Sequence, residues 1–211
     1  MLGRRGKHPV LAEVPAPQGG SARPGALGRG RLEAFSNLAV GLARARVVLS
    51  TGPARLDVAL GLATAAAAEG RRVALLECDL AEPQLAERLG LAPHPGLHEY
   101  LRGDAEVARI LQSLVLSGPA SGRAVEPLTC IVAGEPLAEP IGLLDSDRCD
   151  HAIEKLRHAY DLLVIDGPAL ARKPEALRAL AELADATVAC GPPRELPRRL
   201  PVPVTGLVTL G

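Results

Sequence analysis

Short apolar runs alternate with stretches of helical periodicity along most of the chain. Continuous apolar runs of strand length are typical of strands that are buried on both faces of a parallel sheet. Between these runs, apolar residues recur every three to four positions, as on one face of a helix. The predicted strands lie at 46–50, 72–77, 128–133, 161–166, 186–190 and 204–210, and the predicted helices at 31–44, 56–69, 104–116, 147–159 and 174–183.

The alternating order predicts an α/β fold with three layers, in which helices cover both faces of a mostly parallel sheet. Gly70 directly follows the second predicted helix and is a typical helix-ending residue, so the first strands and this helix form a βαβ unit. Residues 1–28 are rich in Pro, Gly and Arg and show no sustained periodicity. This composition predicts a disordered N-terminal tail and leaves 29–211 as a single domain.

Charge and composition exclude several classes of function. Lys and Arg together number 24 and Asp and Glu also number 24, so no net positive field attracts nucleic acid. The aromatic residues Phe35, Tyr100 and Tyr160 are too few to stack on the bases of a single strand. No apolar run approaches the roughly 18 residues of a membrane-spanning helix, so we expect a cytoplasmic protein without a transmembrane segment.

Candidate chemistry lies where the predicted strands end, because ligands of parallel sheets bind beyond the carboxyl ends of the strands. The first strand continues through the sequence TGPARL into a helix, at the place of a phosphate-binding loop. The second strand ends at Glu77, and Asp79 follows it by two residues. The strand at 161–166 ends at Asp166, the usual position of an acid that reaches a nucleotide-bound Mg²⁺. Together these features outline a nucleotide site.

Several segments, in matching order and spacing, resemble one known family. EAFSNLAVGL at 33–42 resembles its leading helix, and VALLECDLAEPQLAERLGL at 73–91 resembles its second-strand motif. PGLHEYLRGDA at 95–105 is similar to its P-G-L-x-x-x-L-x-G segment, and 139–169 is similar to the stretch that ends in Y-D-x-[IV]-[IV]-D-x-P-P. The chain thus resembles the cytoplasmic P-loop domain of bacterial tyrosine kinases of polysaccharide synthesis, within the MinD/ParA group of ATPases.

The resemblance implies a P-loop NTPase fold, protein-tyrosine kinase or ATPase activity, and ATP with Mg²⁺ as cofactors. It also implies a position at the inner face of the membrane, with a membrane-anchored polysaccharide chain-length or export protein and further copies of the chain as partners. In the family, the leading helix carries E-x-x-R-x-x-R and packs neighbouring subunits into a ring. Here Ser36 and Ala39 stand at the positions of the two arginines after Glu33, so we do not expect that ring contact.

The phosphate loop departs most from the family pattern P-G-E-G-K-[ST]-T. Arg55 replaces the lysine, Leu56 replaces the hydroxyl that ligates Mg²⁺, and Asp57 replaces the next threonine. Pro53 has no N–H for a phosphate, and a carboxylate at Asp57 would repel the anion that a helix start attracts. The predicted cofactor-binding residues of this degenerate site are Gly52, Ala54, Arg55, Leu56, Asp57 and Glu77, and the predicted catalytic and Mg²⁺-binding residues are Asp79 and Asp166.

The roles of these residues stay open at the level of the sequence. Asp79 and Asp166 are either Mg²⁺ ligands or acids that cap the turns after their strands. We expect Glu77 to pair with a neighbouring arginine, and Arg55 to be a solvated residue of the first helical turn rather than a phosphate ligand.

The departures favour a pseudo-tyrosine-kinase that regulates capsular or exopolysaccharide synthesis through protein contacts, with weak or no nucleotide turnover. The alternative is an active tyrosine kinase or MinD/ParA-type ATPase with an unorthodox loop. In that alternative, Arg55 takes the terminal phosphates and Asp57, Asp79 and Asp166 hold Mg²⁺.

Overall fold

A single mixed sheet organises the computed structural model, which describes residues 8–16, 27–116, 126–169, 174–192, 194–196 and 200–211. Its strand order is β1-β8-β7-β2-β6-β3-β5-β4, and every neighbouring pair is parallel except β4 with β5. The strands are β1 (Val10–Val14), β2 (Val47–Thr51), β3 (Val73–Glu77), β4 (Gln112–Leu114), β5 (Leu128–Ile131), β6 (Leu162–Asp166), β7 (Ala186–Cys190) and β8 (Gly206–Leu210).

Helices cover both faces of the sheet and bury an apolar core on each side. The helices are α1 (Arg29–Gly41), α2 (Arg55–Ala68), α3 (Leu85–Leu89), α4 (Leu97–Arg102), α5 (Val107–Ile110), α6 (Ile141–Leu144), α7 (Asp147–Ala159) and α8 (Pro174–Leu183). One core joins α1, α2 and α3 to the sheet, and the other joins α4 to α8. This confirms the predicted three-layer α/β fold. No helix in the described part of the chain has the length and apolarity needed to cross a membrane.

Helices α1 and α2 pack closely through one aromatic side chain. Phe35 is fully buried, and its ring lies directly over Gly61, where a Cβ atom would overlap it. The glycine inside α2 therefore lowers helix propensity but allows α1 to approach. This contact places α2, and with it the loop that precedes α2, firmly against the sheet.

The prediction of a disordered tail is wrong for residues 10–14, which form β1. This strand lies parallel to β8, and Val14 is buried in the core. The backbone N–H groups of Leu207 and Gly211 donate to the carbonyls of Pro9 and Val14, so the pairing satisfies the open edge of β8. Tertiary pairing thus orders a segment that has no periodicity of its own. Two other parts of the predicted tail, residues 1–7 and 17–26, lie outside the described residues.

The predicted helix at 104–116 is also wrong, because only α5 is helical there and β4 follows it. The side-chain amide of Gln112 donates to the carbonyl of Ala92 at 2.8 Å and accepts from the Ala92 N–H at 2.9 Å. β4 also pairs antiparallel with β5. These nonlocal hydrogen bonds outweigh a weak local helical pattern.

Candidate functional site

The predicted site residues converge at the carboxyl edge of three neighbouring strands. β6 lies between β2 and β3, and Asp166 is aligned with Ser50 on one side and Glu77 on the other. The loop after β2 leads directly into α2, and Asp79 follows β3 by two residues. The sequence-based expectation that these elements meet at one edge therefore agrees with the structure.

Arg55, the first residue of α2, is buried and pairs with both predicted catalytic acids. Its Nη2 lies 2.5 Å from Oδ2 of Asp79, and its Nε lies 3.5 Å from Oδ1 of Asp166. The side chains are only 9%, 7% and 1% exposed for Arg55, Asp79 and Asp166. The expectation of a solvated arginine is wrong, because two carboxylates buried at one edge require a nearby positive charge.

The two acids differ in how their oxygens are used. Asp79 Oδ1 accepts the backbone N–H of Glu82 at 3.2 Å, so this residue caps its turn in addition to pairing with Arg55. In the described part of the chain, neither carboxylate oxygen of Asp166 receives a hydrogen bond. Burial, together with nearby carboxylates, raises the pKa of Asp166 well above its usual value, although the Arg55 guanidinium acts in the opposite direction.

Glu77 binds backbone groups instead of the predicted arginine. Its Oε1 accepts the N–H groups of Gln84 at 2.5 Å and Leu85 at 2.7 Å, and its Oε2 accepts the N–H of Ala133 at 3.0 Å. The carboxylate thus ties the start of α3 and the chain after β5 to the end of β3. Burial raises the pKa of Glu77, whereas the backbone hydrogen bonds act to lower it.

The loop between β2 and α2 is closed by hydrogen bonds to the protein itself. The N–H of Ala54 donates to the carbonyl of Cys190 at 3.2 Å, and the N–H of Arg55 donates to the carbonyl of Gly52 at 3.3 Å. Gly52 has a φ of 105°, and a Cβ atom there would collide with the Cys190 carbonyl. Pro53 has no N–H and lies against Gly191. Backbone donors that would hold a phosphate in a P-loop are therefore used within the fold.

The next two positions contact other parts of the protein. Leu56 is buried in the core that α1 and α2 share. Oδ1 of Asp57 lies 2.6 Å from Nη2 of Arg88 in a largely exposed ion pair between α2 and α3. Among the described residues, no group of three or more His, Cys, Asp or Glu side chains is placed to hold a metal ion. Asp57 thus has a partner of its own.

Sequence reasoning missed the partners of the loop and of the acids. Nothing in the local sequence marks Ala133 or the Cys190 carbonyl, because both are brought to the site by nonlocal strand pairing. The Arg55 ion pairs had a usable signal. Asp166 ends β6, Asp79 closely follows β3, and Arg55 begins the helix that leads from β2 into β3, so charge balance favours a pair.

The curated proteins that are similar to this chain include a tyrosine-protein kinase and a succinoglycan biosynthesis transport protein. No protein-family profile matches it. The tyrosine-protein kinase ptk of Acinetobacter johnsonii is 26% identical over 136 residues, which are 63% of this chain and 17% of that protein. The succinoglycan biosynthesis transport protein ExoP of Rhizobium meliloti is 32% identical over 134 residues, which are 61% of this chain and 15% of that protein. The chain thus spans about one sixth of the length of these curated relatives.

Solved structures with a similar fold include tyrosine kinase domains. The kinase domain of the Escherichia coli tyrosine kinase ETK superposes with a TM-score of 0.76 and 18% identity, over 97% of this chain and 90% of that one. The BceF tyrosine kinase domain gives a TM-score of 0.67 and 23% identity, over 85% and 77%. The expected family resemblance is confirmed: the chain has the α/β fold of bacterial tyrosine kinase domains, and its relatives by sequence include a tyrosine-protein kinase and a succinoglycan biosynthesis transport protein.

Proposed function

We propose that this chain is a non-catalytic relative of bacterial tyrosine kinases, which regulates capsular or exopolysaccharide synthesis through protein contacts. One observation carries the proposal: the Arg55 guanidinium pairs with both carboxylates that would bind Mg²⁺ in a kinase of this fold. A buried ion pair of this kind holds its groups in place, because separating them leaves uncompensated charge.

ATP with Mg²⁺ is the cofactor that a kinase fold implies, and the residues of this site do not fit it. The Arg55 guanidinium already supplies a positive charge beside Asp79 and Asp166, and it would repel a cation there. Leu56 offers no oxygen to a metal, and it is packed into the core. The N–H groups of Ala54 and Arg55 already have carbonyl partners. A bound phosphate would have to displace the hydrogen bonds of the loop, and a bound metal ion would have to displace Arg55.

A domain without turnover acts by what it binds, and the relatives indicate the class of partner. They include a transport protein of succinoglycan biosynthesis and a tyrosine kinase, so we infer a membrane-anchored polysaccharide chain-length or export protein as the partner. We infer that the chain acts in the cytoplasm at the inner face of the membrane, with further copies of itself as additional partners. Its zero net charge argues against nucleic acid.

Thermal unfolding with ATP and Mg²⁺, with ADP, and with ATP in a Mg²⁺-free buffer tests the proposal. The kinase domain of E. coli ETK serves as a positive control of the same fold. A ligand at a hundredfold excess over Kd stabilises by about 2.7 kcal/mol, which raises Tm by roughly 5–11 °C in a domain of this size. We expect no Mg²⁺-dependent rise for this chain.

A Mg²⁺-dependent rise would contradict the proposal and support the active enzyme with an unorthodox loop. In that case Asp79→Asn or Asp166→Asn would abolish ATP hydrolysis, because both acids would then hold the metal.

A further inference from the structure

The Arg55 guanidinium contacts two buried carboxylates. It reaches Asp79 and Asp166 from the first turn of α2, while the acids come from the ends of neighbouring strands β3 and β6. A single positive charge therefore lies against two buried negative groups. Carboxylate oxygens of this kind are the ligands that hard divalent cations prefer.

We propose that Arg55 is a built-in substitute for a divalent cation, and that its removal uncovers a divalent-cation site on Asp79 and Asp166. The inference deepens the proposed function and rests on it, since it assumes that the natural chain has no use for a bound Mg²⁺. It explains how the two strand-end acids stay buried together without a metal.

The carboxylate oxygens of Asp166 are able to bind a further ligand. Its side chain is 1% exposed, and in the described residues neither of its oxygens receives a hydrogen bond. The 3.5 Å contact with Nε of Arg55 compensates charge without a hydrogen bond to either oxygen. A carboxylate in this state can accept a cation once the guanidinium is gone.

The neighbouring carboxylates of Glu77 and Asp57 bind other groups of the protein. The uncovered site is therefore limited to Asp79 and Asp166. Both oxygens of Glu77 accept backbone N–H groups, and Asp57 pairs with Arg88. Two carboxylates and water give a site of modest affinity, suited to Mn²⁺ or Mg²⁺, which both keep water ligands.

Titration with Mn²⁺ alone, followed by the electron paramagnetic resonance signal of the free ion, tests the inference. The variants are Arg55→Gln, which removes the charge, and Arg55→Gln/Asp79→Asn, which also removes one ligand. We expect Arg55→Gln to bind about one Mn²⁺ per chain more than the wild type or the double variant. Its Tm should rise by roughly 5–11 °C at a hundredfold excess of Mn²⁺ over Kd. Equal binding by wild type and Arg55→Gln, or by the single and double variants, would overturn the inference.

If Arg55→Gln fails to fold, the double variant Arg55→Gln/Asp79→Asn still tests the inference. If Arg55 is the counter-ion of Asp79, removing both charges should restore folding that the single change destroys. Equal loss of Tm in the single and double variants would overturn the inference. Binding of Mg²⁺ with ATP by the wild type is measured separately, and would overturn the proposed function. If the wild type does not bind ATP with Mg²⁺ and Arg55→Gln does not bind Mn²⁺, only the inference that Arg55 substitutes for a cation is overturned.

Discussion

Glu77→Gln tests whether the buried carboxylate at the end of β3 is a structural clamp. The variant keeps the shape of the side chain and replaces one oxygen by an NH₂ group. The remaining oxygen can stay with the N–H groups of Gln84 and Leu85. The new NH₂ group then faces the N–H of Ala133, at the place where the wild-type structure has a 3.0 Å hydrogen bond. Two donors would oppose each other inside the protein.

The expected loss follows from these contacts. One orphaned buried N–H costs about 1–3 kcal/mol, and two bonds that lose an ionised acceptor cost a further ~1–2 kcal/mol together. Part of this is offset, because a neutral amide is easier to bury than the carboxylate whose pKa burial raises. The net loss is about 2 kcal/mol, which lowers Tm by roughly 4–8 °C.

Thermal unfolding at neutral pH measures this loss, with the exposed Glu33→Gln on α1 as the matched control. The control makes the same chemical change at a solvated position, so its Tm should stay within about 2 °C of the wild type. Equal Tm values for wild type and Glu77→Gln would refute the clamp. They would free Glu77 for the nucleotide-binding role that the sequence first indicated.

Two further substitutions probe the acid cluster and the helix contact. Because the pKa of Asp166 is raised in the folded state, its favourable contribution to stability is present at acidic pH and is lost as pH rises above its unfolded value near 3.8. Asp166→Asn should therefore reduce the decline of Tm with rising pH, and an unchanged slope would contradict the raised pKa. Gly61→Ala should lower stability by about 1–3 kcal/mol, because its Cβ would overlap the Phe35 ring. Gly41→Ala at the open end of α1, where no atom lies within 4 Å of an added Cβ, should not lower it, and equal effects of the two alanines would contradict the packing account.

The sequence predicts the centre of the fold better than its edges. Continuous apolar runs identified β2, β3, β6 and β7 to within a residue, because central strands of a parallel sheet are buried on both faces. β1 and β4 were missed, since an edge strand is defined by the partner that it pairs with. Length and composition of residues 10–14 therefore gave no signal of order.

The candidate site shows the same division between local and nonlocal information. The positions of Asp79 and Asp166 followed from strand ends alone. The burial of Arg55 did not, because a long cationic side chain at a helix start is usually solvated unless fixed acids lie within its reach. The role of Glu77 depends on the distant N–H of Ala133, which only the assembled sheet brings near.

The most direct test of the central claim is an equilibrium titration of the wild-type chain with radiolabelled ATP in the presence of millimolar Mg²⁺. With Arg55 on Asp79 and Asp166 and the loop closed on Cys190, we predict no saturable binding. Saturable, Mg²⁺-dependent binding that Asp166→Asn abolishes would contradict the account, and would show that Asp166 serves a working nucleotide site.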